Sequence, residues 1–242
     1  MWSIKILVSI IIPTYKGKEL LDRCSLKSVL NQTYQNFEIF IANDGEDKDT
    51  KEYIESLNNP KIKYYEFPKI TYKDPKENWA HSGGSSLNRN KCLNLLKGKL
   101  IAPLDHDDIW GPNYLKERVE IFKNDPDIDF TYGKAANISK DMHVSTIGNK
   151  LTTKIREMYK VRSKHNCIAH CSVVYSARLK HYRYTVDGDT AADYTLWCDI
   201  INDGHHIHFI DKIVCLRNGA HNSFDGLDKI YNKLFIEEFK VS

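Results

Sequence analysis

Three carboxylates and an imidazole stand directly behind an apolar run in LIAPLDHDDIWGP, residues 100–112. Asp105, Asp107 and Asp108 repel one another unless something positive sits among them. Along an extended chain alternate side chains point the same way, so Asp105 and Asp107 share a direction, with His106 and Asp108 opposite. Two carboxylates on one side of a strand end suit a hard divalent cation with oxygen ligands, Mn²⁺ or Mg²⁺, which keeps positions open for phosphate oxygens. The structural alternative is that Pro112 opens a helix over 113–122 and the aspartates cap it or meet its positive end.

A second carboxylate stands out in AADYTLWCDIINDG, residues 191–204. Asp193 precedes Leu196 by three and Trp197 by four, so it shares their apolar helical face with Ile200 and Ile201. It is either an N-cap or a base at the floor of a cleft, its pKa raised by burial and lowered by the helix terminus. HNCIAHC brings His165, Cys167, His170 and Cys171 together, but without the paired spacing usual for zinc. The segment around it also reads as a packed strand. In GHHIH, His205, His206 and His208 read as part of a strand with a structural role.

The elements that would position these groups alternate. Residues 6–13, 37–43, 61–67 and 99–105 read as strands, and 18–32, 48–57 and 87–96 as helices. Strand–helix–strand alternation implies parallel strands with right-handed crossovers, and ligands of such sheets bind beyond the carboxyl ends of the strands. Those ends carry Pro13-Thr14-Tyr15, Asn43-Asp44-Gly45 and Asp105-His106-Asp107. Asp44-Gly45 alone could be a simple turn, but three polar strand ends on one rim suggest a site. The long polar segment 68–88, with Gly83 and Gly84 as a hinge, is expected to be functional rather than a bare connection. Residues 227–239 read as an amphipathic helix that packs on the core.

Composition narrows the classes. Hydrophobic residues make up 41% of the 242, and 35 basic against 32 acidic residues leave a net charge of +3. The balance and the lack of a basic run argue against nucleic acid. Six cysteines in a chain this long do not make a disulfide scaffold. The opening apolar run reads as a buried strand rather than a signal peptide, and no apolar run reaches the ~20 residues that cross a bilayer. A cytoplasmic protein is expected.

Taken together, VSIIIPTYKGKELLDRCSLKSVLNQTYQNFEIFIANDGEDKDT, LNRNKCLNLLKGKLIAPLDHDDIWGP and AADYTLWCDIINDG resemble the family-2 nucleotide-sugar glycosyltransferases of the GT-A fold, over roughly residues 7–220. The resemblance implies one α/β, Rossmann-like domain over residues 1–242, with a mainly parallel central sheet flanked by helices and a smaller acceptor-side subregion. The nucleotide-binding half is expected at about 1–110, the acceptor and base half at about 111–225, and a terminal helix at about 226–242. It implies that Pro13, Thr14, Tyr15, Asp44, Arg89, Asp105 and His106 bind the nucleotide. Asp105, Asp107 and the late His221 would serve Mn²⁺ or Mg²⁺, and Asp193 would be the general base. His170 and Trp197 would lie on the acceptor side, and Asn90 just behind the site. Three departures stand out. Ser25 looks inserted into the first helix; one extra residue shifts helical phase by about 100°, so a π-bulge or a looser turn is expected there. Asn43 stands where aspartate is common, and Ala192 where glutamate is expected.

The implied activity is metal-dependent, inverting transfer of a sugar from a UDP, dTDP or GDP sugar to a hydroxyl of a glycan, polysaccharide or glycolipid. Peripheral membrane contact and a homodimer stay open. A non-catalytic nucleotide-sugar-binding module is the alternative that Ala192 keeps alive. A sugar nucleotidyltransferase is disfavoured, because PTYKGKELL lacks a glycine-rich basic loop.

Overall fold

The structure, a computed structural model, describes residues 5–69, 80–185, 191–219 and 224–237. The first apolar run forms β1, Val8–Thr14, buried along its whole length. Ile10 and Ile12 enter one core while Ile11 enters another. Both faces of the strand are therefore covered, which is why it reads as a continuous apolar run. Parallel to it lie β2 (Phe37–Asp44) and β4 (Leu100–Pro103), with β3 (Ile62–Phe67) outside β2. Thr14 pairs with Asn43, and Ile11 with Pro103, so three carboxyl ends open on one rim.

The same sheet continues through the second half. The other strands are β5 (Ile109–Trp110), β6 (Phe130–Ile138), β7 (Val144–Ile147), β8 (Val174–Ser176) and β9 (Ile207–Arg217). The order is β3-β2-β1-β4-β8-β6-β9-β5, with β7 alongside β6. β8 runs antiparallel to both β4 and β6, and β5 antiparallel to β9, while β6 and β9 are parallel. The first half of this α/β sheet is thus wholly parallel and the second half mixed.

The first helix bears out the phase argument at Ser25. α1 (Lys18–Leu20) passes into a π-helical turn, Leu21–Ser25, and then into α2 (Leu26–Leu30). The Leu26 N–H donates to the Leu21 carbonyl, an i to i−5 bond. The bulge absorbs the extra residue, so Leu21 and Cys24 before it and Leu26 and Val29 after it all stay buried. Beyond it, Ser28 Oγ accepts from the Trp110 N–H, and Gln32 bonds both the Gly111 carbonyl and the Leu115 N–H.

Several boundaries differ from expectation. α3 (Lys48–Ser56) is capped by Asp47, whose side chain accepts the Thr50 N–H. α4 spans Ala80–Leu93 rather than 87–96, so Gly83 and Gly84 belong to a helix and not to a hinge; residues 70–79 of the long segment lie outside the described residues. α5 (Tyr114–Asn124) is capped at Asn113, which puts Pro112 one residue outside the helix. The remaining helices are α6 (Thr153–Lys160), α7 (Ala192–Asn202) and α8 (Phe224–Tyr231), the last continued by a π-helical stretch, Asn232–Glu237. Leu227 and Phe235 from this terminal part join Cys24, Ile109, Ala136, Ile138 and Leu216 in a third core cluster. Residues 168–172, expected as strand, form an irregular segment and a 3₁₀ turn at His170–Ser172 ahead of β8.

Candidate active site

Thr14 closes β1 with its side chain buried, and its Oγ1 has no hydrogen-bond partner among the described residues. Beside it Tyr15 accepts a hydrogen bond from Lys69 Nζ at 2.8 Å, and the ammonium also lies 4.5 Å from the ring centroid. That bond lowers the phenol's pKa. Asn43, at the end of β2, is buried and donates to the Gly45 carbonyl at 2.6 Å. Asp44 follows on the rim. A Cβ on Gly84 of α4 would lie 2.6 Å from its Oδ2, so only glycine lets this helix approach so closely.

The aspartate cluster is a turn, not a strand end. β4 stops at Pro103, and the Asp108 N–H donates to the Asp105 carbonyl at 3.1 Å. This overturns the simple alternation argument for Asp105 and Asp107, because the turn sets their directions. His106 Nδ1 stands 3.3 Å from the Pro13 carbonyl and ties the turn to the exit of β1. Asp107 and Asp108 are buried. Asp108 does not cap α5; its Oδ1 accepts the Asn218 N–H at 2.9 Å. Burial, then Asp107 and Asp105, push the Asp108 carboxyl well above the ordinary carboxylate range. The crowding of three carboxyl groups in one turn makes ionising all of them costly, and a hard divalent cation with oxygen ligands relieves such crowding. Among the described residues no three His, Cys, Asp or Glu side chains converge as a complete ligand set. Asp107 and Asp105 are the residues that could hold such an ion, with other positions left to substrate or water. His221 lies outside the described residues.

Asp105 is the centre of a denser network. Arg89 Nη2 of α4 donates to its Oδ1, and Arg89 Nη1 donates to Ser85 Oγ at 3.1 Å. His170 Nδ1 lies 3.6 Å from the same Oδ1. Burial pushes the Asp105 carboxyl up, but Arg89 and then His170 outweigh it and hold the group well below the usual range. It is a fixed carboxylate. His170 Nε2 stands 3.1 Å from the Tyr184 hydroxyl, and the Arg89 guanidinium lies 5.3 Å from the Tyr184 ring centroid. Asn90 clamps the backbone of Tyr184, accepting its N–H at 2.9 Å and donating to its carbonyl at 2.8 Å.

Asp193 occupies the first turn of α7, but the cap position is Ala191 and carries no capping side chain. Instead Asp193 Oδ2 accepts from Asn166 Nδ2 at 3.3 Å. Burial, and then Tyr175, raise the Tyr184 phenol well above its ordinary value, with smaller contributions from Asp105 and Asp193. Trp197, expected on the acceptor side, is fully buried; it stacks on His170 with centroids 6.0 Å apart and meets Phe130 edge-on. Its ring supports His170 and has no exposed face. The segment HNCIAHC disperses its side chains. His170 turns to Asp105, Cys167 to Tyr159, and Cys171 to Cys215, whose sulfur is 3.5 Å away. Tyr184 and Asn166 are the site residues the sequence did not single out. Asn166 sits inside the very stretch that suggested zinc, and nothing in the spacing of Tyr184 marks it.

A family model, "Glycosyl transferase family 2", matches residues 9–182. The chain belongs to glycosyl transferase family 2. It is 30% identical over 200 residues to an Escherichia coli protein, "UDP-Glc:alpha-D-GlcNAc-diphosphoundecaprenol beta-1,3-glucosyltransferase WfgD", covering 82% of this chain and 71% of that one. Chondroitin synthase of Pasteurella multocida is 28% identical over 231 residues, covering 92% of this chain but 22% of the synthase. Among solved structures, S. aureus TarS 1–349 in complex with UDP superposes with a TM-score of 0.66 at 17% identity, over 97% of this chain and 72% of that chain. A Pyrobaculum calidifontis mannosyltransferase in complex with GDP-Man and Mn²⁺ gives 0.57 at 13% identity, over 89% of this chain and 57% of that chain. The fold is therefore GT-A-like, and this family-2 chain is a glycosyltransferase.

Proposed function

We propose that this glycosyltransferase moves a sugar from a nucleoside-diphosphate sugar to an acceptor hydroxyl with inversion at the anomeric carbon. The single observation that carries the reading is the contact chain Arg89–Asp105–His170–Tyr184, set beside Thr14 and Asp44 on one rim. Pro13, Thr14, Tyr15 and Asp44 receive the base and ribose. Asp44 suits a ring N–H, as in uracil, thymine or guanine. Arg89 and His106 face the diphosphate, Asp105 the ribose side. Asp105 and Asp107, with His221 as a further candidate, would hold Mn²⁺ or Mg²⁺, which when bound neutralises charge on a diphosphate. Asp193 takes the proton from the acceptor hydroxyl while that oxygen forms its bond to the anomeric carbon. The bond from that carbon to the diphosphate oxygen breaks on the opposite face.

A UDP sugar and a polyprenyl-diphosphate acceptor are the first substrates to try, because the WfgD name states both. An acceptor of that kind would bring the protein to a membrane surface from the cytoplasmic side. Among the described residues no helix is long and apolar enough to cross one. A positioned base is worth ~10²–10⁴ in rate. Asp193→Asn is expected to lose at least ~10² in transfer while nucleotide binding persists, measured with a radiolabelled donor and by calorimetry. Unchanged turnover removes the base assignment, and a product with retained anomeric configuration removes the inversion. The second reading, a binding module without turnover, rests on Ala192 in place of an acidic neighbour to Asp193. Binding of nucleotide sugars with neither transfer nor slow hydrolysis would favour it.

A further inference from the structure

Tyr184 takes no part in the bond-making or proton transfer just described, yet several groups of the site meet on it. Its backbone is held at both ends by Asn90, the residue after Arg89 on α4. Its ring lies under the Arg89 guanidinium and edge-on to the His170 ring, with centroids 5.7 Å apart in the latter case. Its hydroxyl meets His170 Nε2 at 3.1 Å. On the other side of that imidazole, Nδ1 is buried, has no hydrogen-bond partner among the described residues, and stands 3.6 Å from Asp105 Oδ1.

The proton positions follow from what each group can do. The Asp105 carboxylate is paired with the Arg89 guanidinium, which can only donate, so Asp105 Oδ1 is an acceptor there. A bare nitrogen facing that oxygen would set lone pair against lone pair, so the favoured neutral form places the hydrogen on Nδ1. A neutral imidazole has one donor and one acceptor, so Nε2 is then the acceptor and the Tyr184 O–H donates to it. Trp197, stacked on the imidazole, holds the plane of the ring. We propose that Tyr184 is a positioning residue: its hydroxyl locks His170 in the Nδ1–H form, and His170 together with Arg89 clamps the Asp105 carboxylate from two sides for the donor. This deepens the proposed function and rests on it for the word donor. The tautomer itself does not. The arrangement also joins the two halves of the chain, because Arg89 and Asn90 come from the nucleotide half while His170 and Tyr184 come from the acceptor half.

The test is long-range ¹H–¹⁵N NMR of the His170 ring, with His170→Gln to assign its signals, in the full chain and in Tyr184→Phe. Phenylalanine keeps the ring under Arg89 and removes only the hydroxyl. Wild-type protein should show protonated Nδ1 and bare Nε2, and Tyr184→Phe should lose that preference while remaining folded. Mn²⁺ uptake followed by electron paramagnetic resonance in the presence of UDP should weaken about tenfold in the variant, roughly 1.4 kcal/mol, because the Asp105 carboxylate is less well held. Donor KM should rise more than kcat falls. Protonated Nε2 in the wild type overturns the proposal whatever the activity. So does a Tyr184→Phe protein with unchanged tautomer, or with a changed tautomer and unaltered Mn²⁺–UDP affinity. If wild-type protein shows the Nδ1–H form but takes up no nucleotide at all, the donor half of the proposal falls together with the proposed function, while the tautomer lock stands.

Discussion

Arg89 and Asp105 meet because α4 and the turn after β4 face each other across the rim, and the guanidinium uses its planar fork there. One nitrogen serves Asp105, another serves Ser85, and the plane lies near the Tyr184 ring. Lysine has the charge without the fork or the stacking. Arg89→Lys is therefore expected to weaken donor binding by about tenfold, roughly 1.4 kcal/mol, with the Asp105 carboxylate still ionised. Steady-state donor KM checks it, and an unchanged KM would mean that charge alone is enough. Much of this pocket could be read from residue types. Asp105 and Asp107 announce themselves as carboxylates behind an apolar run, and Asp193 as one at the head of an apolar helical face. Their partners do not. His170 was legible as polar chemistry in a core segment, but only the fold shows that it faces Asp105, and Trp197 turned out to be its support. Tyr184 and Asn166 carried no signal, because a tyrosine near a loop and an asparagine between a histidine and a cysteine fit many structures equally well.

The helix that leaves β1 shows what a sequence pattern can and cannot fix. Ser25 breaks the helical phase, and the structure answers with a π-helical turn at Leu21–Ser25 while both flanking segments keep their buried faces. The serine itself is fully buried, and its Oγ has no hydrogen-bond partner among the described residues. Deleting Ser25 should restore ordinary i to i−4 bonding without rotating either flank. A melting temperature equal to the wild type or up to about 4 °C higher is expected, the size of roughly 1 kcal/mol in a chain of this length. A marked fall would show that the bulge is needed to aim Ser28 and Gln32. At the opposite end of the strands Glu38 ties four segments together. It accepts from Ser9 of β1, Lys63 of β3 and the Lys97 N–H ahead of β4. Burial pushes its carboxyl up, but these bonds, Lys63 first, hold it below the ordinary value. A carboxyl whose folded pKa lies below its unfolded one stabilises above the unfolded value and loses that contribution as pH falls through the folded one. Glu38→Gln should therefore lower stability at neutral pH by about 1–2 kcal/mol, with the gap closing below about pH 4. A gap that persists in acid would point to shape rather than charge. Helix ends were less legible than helix phase. α4 begins inside the polar segment, and its Gly84 lies against Asp44, a tertiary contact invisible in local spacing.

One sheet runs through both halves of the chain, and that continuity is what brings distant residues to a common rim. The alternation of apolar runs and amphipathic stretches was enough to foresee the four parallel strands. The mixed second half was not foreseeable in detail, since its strands are short, as with Ile109–Trp110, or preceded by irregular turns. The terminal helix packs on the core as its pattern suggests, with Phe235 so close to Gly111 that a Cβ there would lie 2.8 Å from the ring. The division into a nucleotide half at about 1–110 and an acceptor half beyond it remains a proposal, and the network through Arg89, Asn90, His170 and Tyr184 is the seam that would couple them. The central claim is that the rim at the exits of β1, β2 and β4 grips a nucleoside diphosphate through a cation held by carboxylates of the 105–108 turn. Isothermal titration of UDP, dTDP and GDP into wild-type and Asp107→Ala protein, each with and without Mn²⁺, tests it most directly. At least one nucleotide should bind the wild type in a Mn²⁺-dependent manner and lose that dependence in the variant; full Mn²⁺-dependent affinity in Asp107→Ala, or no binding of any of the three to the wild type, would contradict it.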